Sequence, residues 1–454
     1  MNNKNELYEK VPRLGWFDDD LPEEVTPSTA AVLMDTGRRI ELQIPWLRTA
    51  DEKYDQIENW FMSSEGFDEQ ASDGPDSHPL PAEILFNDEV GSILLLGCKS
   101  VGFQTRGIIG KGSIEVEAAI MGARSKGYSQ INGMRSYILG LEAWVDTSTV
   151  STQILRGEDG KPVSFCVSGN SQAPISLSEK HELSVHPGWK VVDKLTGEKR
   201  IKEYAFVETR TQDPLDWREH LEEHGRVRDL VRVSVWKPVG YNSIRVQLDA
   251  DPVKDFEDSK AARWGDLKSH LIVGYDGERI ESKNSLFTFR DIGVDGYARW
   301  QQICTNYSRA INPLMALLNE PQSSVEMRLT QAAVGLEAMA LQMAKEAGVS
   351  RNNRNKENIQ SRLARIQASV PIDFLDDHWP QECADSYNGI KHANRTMPDF
   401  ELIYRNYTQC VLLFRLWVAA RLGIPSDSLK SRIEMDSKMQ WLIQNNGAKK
   451  VKLW

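Results

Sequence analysis

From Ser323 to Met343 the chain reads SSVEMRLTQAAVGLEAMALQM. Val325, Leu329, Ala332, Leu336, Met339 and Met343 recur at steps of three and four, which sets them on one stripe of an α-helix. Ser323-Ser324-Val325-Glu326 at its head is a capping-box signature, a hydroxyl for the orphan amides with a carboxylate three residues on. A helix with one apolar stripe must bury it, and the flanking sequence supplies partners. Phe400, Ile403, Tyr404, Tyr407, Cys410, Val411, Phe414, Trp417 and Val418 form a second stripe, and Gly423 before Ile424-Pro425 is a stop signal. Helices are expected between them at 355–369 and 377–393, and Ser426 opens a last one running to about residue 443. Several amphipathic helices joined by short loops make a bundle.

Upstream of about residue 297 the period changes. Ala31–Met34 and Arg39–Ile44 flank Asp35-Thr36-Gly37, which predicts a hairpin with a three-residue loop. Ser92–Leu96, Ile114–Met121, Tyr137–Val145, Val163–Val167, Glu203–Glu208, Leu230–Trp236 and Ser243–Leu248 are further expected strands. Residues 213–226 are expected to form a short charged helix, and the polar, acidic run from Ser63 to Pro81 a mobile loop. No repeat with a fixed period is present. The fold class expected is therefore α+β, a β-rich N-terminal region over 1–300 followed by an all-α bundle over 301–454.

Composition narrows the class. Of 454 residues 40% are hydrophobic and 26% charged, ordinary values for a globular protein. No run approaches the roughly 18 apolar residues of a membrane span, so no membrane is expected as a partner. The first twenty residues carry no apolar core of a secretory signal. Cys98, Cys166, Cys304, Cys383 and Cys410 lie far apart, odd in number and without a CxxC, which favours reduced thiols in the cytoplasm over a disulfide frame. The net charge of −10 argues against a general nucleic-acid binder, but it is unevenly spread. Thr305–Trp454 holds 19 Lys and Arg against 15 Asp and Glu, a surplus of four positive charges that leaves −14 for the rest. Within it Arg351, Arg354, Lys356, Arg362 and Arg365 cluster with one acid, Glu357, either a phosphate-binding surface or a solvated helix face.

Three stretches invite a chemical reading. His220-Leu221-Glu222-Glu223-His224 has the HxxEH spacing of inverted zinc peptidases, two imidazoles on one helix face with a glutamate between. It has no apolar flank to build a dry cleft and no third ligand, so it reads as a solvated helix, and no metal or organic cofactor is expected. Gly107-Ile108-Ile109-Gly110-Lys111-Gly112-Ser113 lacks the early glycine of a phosphate loop and interposes Gly112 between Lys and Ser. The third stretch, Asp385-Ser386-Tyr387-Asn388-Gly389-Ile390-Lys391-His392-Ala393-Asn394-Arg395, is oddly polar for a bundle. Asn388 and His392 lie one turn apart, with Lys391 and Arg395 adding positive charge. A group that titrates near neutrality beside phosphate-binding donors is the minimum for cutting RNA without a metal. The plainer alternative is a helix C-terminus where His and Lys complement the macrodipole.

Tyr387-Asn388-Gly389-Ile390-Lys391-His392 resembles the RNxxxH signature of HEPN domains, helical-bundle ribonucleases. Its flanks match, with Leu336-Glu337-Ala338-Met339 upstream and an apolar helix ending at Leu422-Gly423 downstream. Gly15-Trp16-Phe17, Ile93-Leu94-Leu95-Leu96-Gly97-Cys98 and Leu139-Gly140-Leu141-Glu142-Ala143-Trp144 resemble the N-terminal domain of the ApeA family of abortive-infection, anti-phage proteins. The resemblance implies a HEPN-type bundle and a metal-independent endoribonuclease acting on RNA, tRNA among the candidates. It also implies a homodimer or higher homo-oligomer, held in check by an N-terminal sensor and released by a phage-derived trigger. His392 would be the acid/base group, Asn388 its orienter or a phosphate donor, and Glu337 a supporting residue. Tyr387 stands at the family's arginine position. Either Lys391 or Arg395 supplies the missing cation, or Tyr387 contributes a hydroxyl, or the domain holds RNA or oligomerises without cutting. Arg395, Arg351, Arg354, Lys356 and Arg362 are the phosphate-binding candidates.

Overall fold

The computed structural model describes residues 5–18, 29–47, 57, 60–61, 80–193, 199–254, 260–272, 285–320 and 322–435. Most of the expected 63–81 loop and the end of the last helix lie outside the described residues. The strands among them are β1 (Arg13–Asp18), β2 (Thr29–Asp35), β3 (Ile40–Leu47), β4 (Glu83–Asn87), β5 (Ser92–Leu96), β6 (Lys99–Arg106), β7 (Ile109–Val116), β8 (Ala118–Met121) and β9 (Gln130–Ile138). They continue as β10 (Val150–Arg156), β11 (Pro162–Gly169), β12 (Ile175–Ser178), β13 (Leu183–Asp193), β14 (Lys199–Asp216), β15 (Tyr241–Gln247), β16 (Val253–Lys254), β17 (Lys260–Ala261) and β18 (Gly265–Lys268). The helices are α1 (Leu141–Val145), α2 (Trp217–Val235), α3 (Phe289–Asn306), α4 (Ser308–Ala316), α5 (Val325–Glu346), α6 (Arg351–Lys356), α7 (Ile359–Gln367), α8 (Trp379–Lys391), α9 (Phe400–Leu422) and α10 (Ser426–Met435). A large antiparallel sheet thus precedes a mostly helical region. None of the described helices is long and apolar enough to cross a membrane.

Two compact units form, and their bounds do not follow chain order. One takes Met1–Ser136, Glu208–Glu222 and Ser243–Tyr275; the other takes Tyr137–Val207, Glu223–Asn242 and Asp276–Trp454.

In the first unit the sheet runs β15-β18-β8-β5-β4-β1-β2-β3-β7-β6, each neighbour antiparallel. Alternate residues point inward, so Phe17, Leu33, Leu42, Ile44, Phe86, Ile93, Leu95 and Ile114 share one core. The β2–β3 hairpin forms as expected, but Asp35 still pairs with Ile40, so the turn is Thr36–Arg39. The Asp35 carboxylate accepts the Gly37 amide at 2.8 Å there.

Ile114–Met121 is two strands, not one. Val116 pairs with Ile40 on β3, whereas Ala118 pairs with Leu96 on β5, so the chain changes partner at Glu117. Glu115 and Glu117 alternate with Ile114 and Val116 up to the switch, so nothing in the pattern marks where the partner changes. The glycine-rich run 107–113 serves the same sheet. A Cβ on Gly110 would lie 2.1 Å from the Trp46 ring, and one on Gly112 would lie 2.2 Å from Phe61. Those rings stack at 5.3 Å, and the glycines make their room.

In the second unit two expected strands are helices. β9 stops at Ile138, and Leu141, Trp144 and Val145 bury one side of α1. Five residues are too few for a helical period to show. Leu230–Trp236, with Val231, Val233 and Val235 alternating, belongs almost entirely to α2. The expected charged helix at 213–226 begins only at Trp217, as the start of that same element, and residues 213–216 are the end of β14. Leu230, Val231, Arg232, Val233 and Ser234 are all buried, and a helix enclosed on every side has no stripe to read. Packing overrides the β preference of its valines. Its last carbonyls find a donor on α9, for the buried Arg415 gives Nε to Val233 O at 2.8 Å and Nη2 to Ser234 O at 2.5 Å.

Both expected helices form; the α5 stripe is buried from Leu329 on, whereas Phe400 and Tyr404 of the α9 stripe are exposed. Leu329, Ala332, Leu336, Met339 and Met343 are buried on α5, which packs against α4, α7 and α9. Ser324, one residue past the expected cap, accepts the Met327 amide at 3.3 Å. On α9, Ile403, Tyr407, Cys410, Val411, Phe414, Trp417 and Val418 are buried, and Gly423 caps it at φ 92°.

Candidate functional site

The site is built at the C-terminal end of α8. Pro380 in the first turn suits a position whose amide has no helical partner. Trp379, Cys383, Ala384, Ser386 and Tyr387 then bury one side of the helix. Contacts with α9 fix that side. The Cys383 and Cys410 sulfurs approach to 3.5 Å, and Asn406 Nδ2 donates to Ser386 Oγ at 2.9 Å in the interior. At the rim Arg405 Nη2 reaches Glu382 at 2.8 Å.

The other side ends in solvent. Asn388 is half-buried, while Lys391, His392 and Arg395 are exposed. His392 is the first residue beyond the helix, with φ −118° and ψ 110°, yet its amide still reaches Asn388 O at 2.9 Å. Its own carbonyl accepts the Arg395 amide at 3.0 Å, turning the chain at once. The return is tight. A Cβ on Gly389 would lie 2.6 Å from Thr396 O and 2.9 Å from Pro398 Cδ, so only glycine lets the loop lie on the last turn. Among the described residues no carboxylate pairs with Lys391, His392 or Arg395. Three donors, one of them an acid/base group, are therefore open at a single helix end.

Tyr387 is placed differently. Five positions before His392, it turns roughly 140° away around the helix and is only 5% exposed. The Lys391 ammonium lies 5.4 Å from the centre of its ring. The residue at the family's arginine position thus lies under an ammonium from the next turn.

The basic cluster on α6 and α7 divides. Arg362 pairs with Glu337 of α5, Arg365 with Glu357 at 2.7 Å, and Arg354 Nη1 donates to Val349 O at 2.5 Å. Arg351 and Lys356 remain exposed without a side-chain partner among the described residues. Glu337 is not idle, for it holds Arg362.

The HxxEH stretch is a correction, because it is not a solvated face. His220, Glu223 and His224 are all buried. His220 Nε2 donates to Ile131 O at 3.2 Å, and Nδ1 faces the Thr209 hydroxyl at 2.8 Å. Glu223 holds Lys180 at 2.8 Å and Arg226 at 3.1 Å. No group of three His, Cys, Asp or Glu among the described residues could hold a metal ion.

Sequence reasoning passed over Asn406, Ser386 and Gly389. Asn406 had a weak signal, an amide on the same face as the apolar Ile403, Cys410 and Val411, which marks a buried hydrogen bond to another element. Gly389 had none, since the loop that needs it comes later in the chain.

The family model described as ApeA N-terminal domain 1 matches residues 49–301, and the one described as Apea-like HEPN matches residues 332–428. The curated proteins and the solved structures contain no match.

Proposed function

Because the chain belongs to the ApeA family of defence-associated HEPN proteins, we propose that it is an abortive-infection endoribonuclease that cuts RNA, tRNA included, without a metal. His392 takes the proton of a 2′-hydroxyl, whose oxygen attacks the adjacent phosphorus and expels the 5′-oxygen. Lys391 and Arg395 offset the charge that builds on the phosphorane, and Asn388 orients the imidazole or donates to a phosphate oxygen. Exposed Arg351 and Lys356 hold flanking phosphates.

The carrying observation is the open end of α8, where His392 and two cations meet with no carboxylate to quench them. A homodimer fits the same helix. Tyr387 faces inward and His392 outward, so one α8 cannot aim both ends of its motif at one phosphate, and a second copy brings its own exposed Lys391, His392 and Arg395 to the same cleft. The protein acts in the cytoplasm, and its acidic N-terminal part restrains the basic C-terminal part until a phage-derived signal releases it. The test is incubation of the full chain with tRNA and total RNA in EDTA. Cleavage by the wild type and none by His392→Ala is the expected result. The reading is lost if the wild type cuts nothing under any activating condition, or if the variant cuts as well.

A second reading follows from buried Tyr387 at the arginine position. The bundle would then hold RNA or oligomerise without cutting, and the N-terminal part would sense a partner. RNA binding without cleavage, with intact defence in a His392→Ala strain, would favour it.

A further inference from the structure

In the first unit, residues far apart in sequence line an open pocket of about 460 Å³. Arg124, Arg263, Asn87, Ser92, Asp88 and Asn5 provide its polar lining. The hydrogen-bonding capacity of these groups is unequally spent.

Asp88 is saturated. Arg13 grips it with Nε and Nη2 at 2.6 Å each, and the Val90 and Gly91 amides donate to it at 2.9 and 3.0 Å. Burial opposes its charge, but Arg13 and these amides hold the carboxyl below the ordinary range, so it stays an anion already neutralised. Asn5 is spent too, its amide on Ser92 O and its oxygen on Arg13, both at 2.8 Å. Arg263 gives Nε to Asp251 at 3.2 Å and Nη2 to Pro252 O at 3.3 Å. Asp251 in turn accepts the Arg124 amide at 2.8 Å and the Tyr128 hydroxyl at 3.0 Å.

Among the described residues, what remains unpartnered is the whole Arg124 guanidinium, Nη1 of Arg263, the Asn87 amide and the Ser92 hydroxyl. With the Arg13–Asp88 and Arg263–Asp251 charges cancelled, Arg124 is the surplus. The pocket is a donor-rich wall around one uncompensated cation, which suits an oxyanion. Arg124 and the free corner of Arg263 alone offer seven N–H groups by chemistry, more than a carboxylate's two oxygens use and a match for a phosphoryl group's three. The volume falls within the usual range for small-molecule sites.

We propose that this pocket is a receptor site for a small phosphorylated molecule. The site belongs to the N-terminal unit, and it stands or falls apart from the nuclease reading. Inorganic pyrophosphate is the probe, titrated calorimetrically into the full chain at low salt, with malonate as the carboxylate control. One pyrophosphate should bind per chain, more tightly than malonate. Arg124→Glu should weaken it by ~10-fold or more, the value of charge-assisted hydrogen bonds lost. Because Arg124 is exposed, the unliganded melting temperature of that variant should stay at the wild-type value, and Arg124→Lys should retain part of the affinity. The proposal is overturned if pyrophosphate does not bind at millimolar concentration, if it binds Arg124→Glu with unchanged affinity, or if malonate binds more tightly.

Discussion

Two stretches of this chain place polar side chains four residues apart at a helix, His220 with His224 and Asn388 with His392, and the structure treats them in opposite ways. At the first, both imidazoles are fully buried, and the nitrogens of His220 are spent on Ile131 O and Thr209. At the second, His392 stands in solvent at the end of α8 with Lys391 and Arg395 beside it. Spacing puts side chains on one face. Whether that face meets a packed interior or an approaching substrate depends on elements distant in the sequence. Of the two, the first has the closer match to a textual motif, and it is the one that packing has turned into structure.

The contrast breaks most decisively at His392. His392→Ala should lower RNA cleavage by ~10²-fold or more, the usual contribution of a general acid/base group, with no change in melting temperature. Retained cleavage would erase the distinction between the two stretches. His220→Ala should do the reverse. It leaves cleavage per folded molecule intact but destabilises by ~2–4 kcal/mol, from a cavity and two stranded hydrogen-bond partners. Urea unfolding beside a cleavage assay separates the two outcomes.

Smaller effects sharpen the picture of the open end. Lys391→Ala should slow cleavage by ~10-fold, as expected for one cation lost from a developing phosphorane, and Lys391→Arg should restore most of it. A slow Lys391→Arg variant would mean that the ammonium over Tyr387 serves only packing. Smallest are the charges on α6 and α7. Arg351→Gln or Lys356→Gln should each reduce the salt slope of RNA binding by ~0.7, the value for one phosphate contact on a single strand. Arg362→Gln should leave that slope unchanged, because its charge is engaged with Glu337. Filter binding across a salt series reads all three.

The bundle was largely legible. The stripe on α5 survives, because a helix with one apolar side and one wetter side writes its period into the sequence. On α9 the Gly423 stop holds, but the stripe marks no single side, since Gln409–Ala419 is buried throughout. The sheet was legible at its turns, as at Asp35-Thr36-Gly37 between β2 and β3. It was misread in two places. Val231, Val233 and Val235 alternate with Arg232 and Ser234, a strand period that the end of α2 carries because both polar residues find partners inside, and Ile114–Met121 carries no mark where the chain leaves β3 for β5. A polar side chain buried with an internal partner reads in the sequence as a solvent-facing one, so the period it writes is false.

For the candidate site, local chemistry was written in the residues: an imidazole, an amide and two cations within eight positions, near a helix end. That information is local, and one segment of sequence is enough to hold it. The fate of each charge is not local. Arg362 lies 25 positions from Glu337, Asn406 lies 20 from Ser386, and Arg415 reaches a helix end 182 positions away. Which polar groups are spent and which stay open depends on such distant pairings, and only the folded chain brings them together.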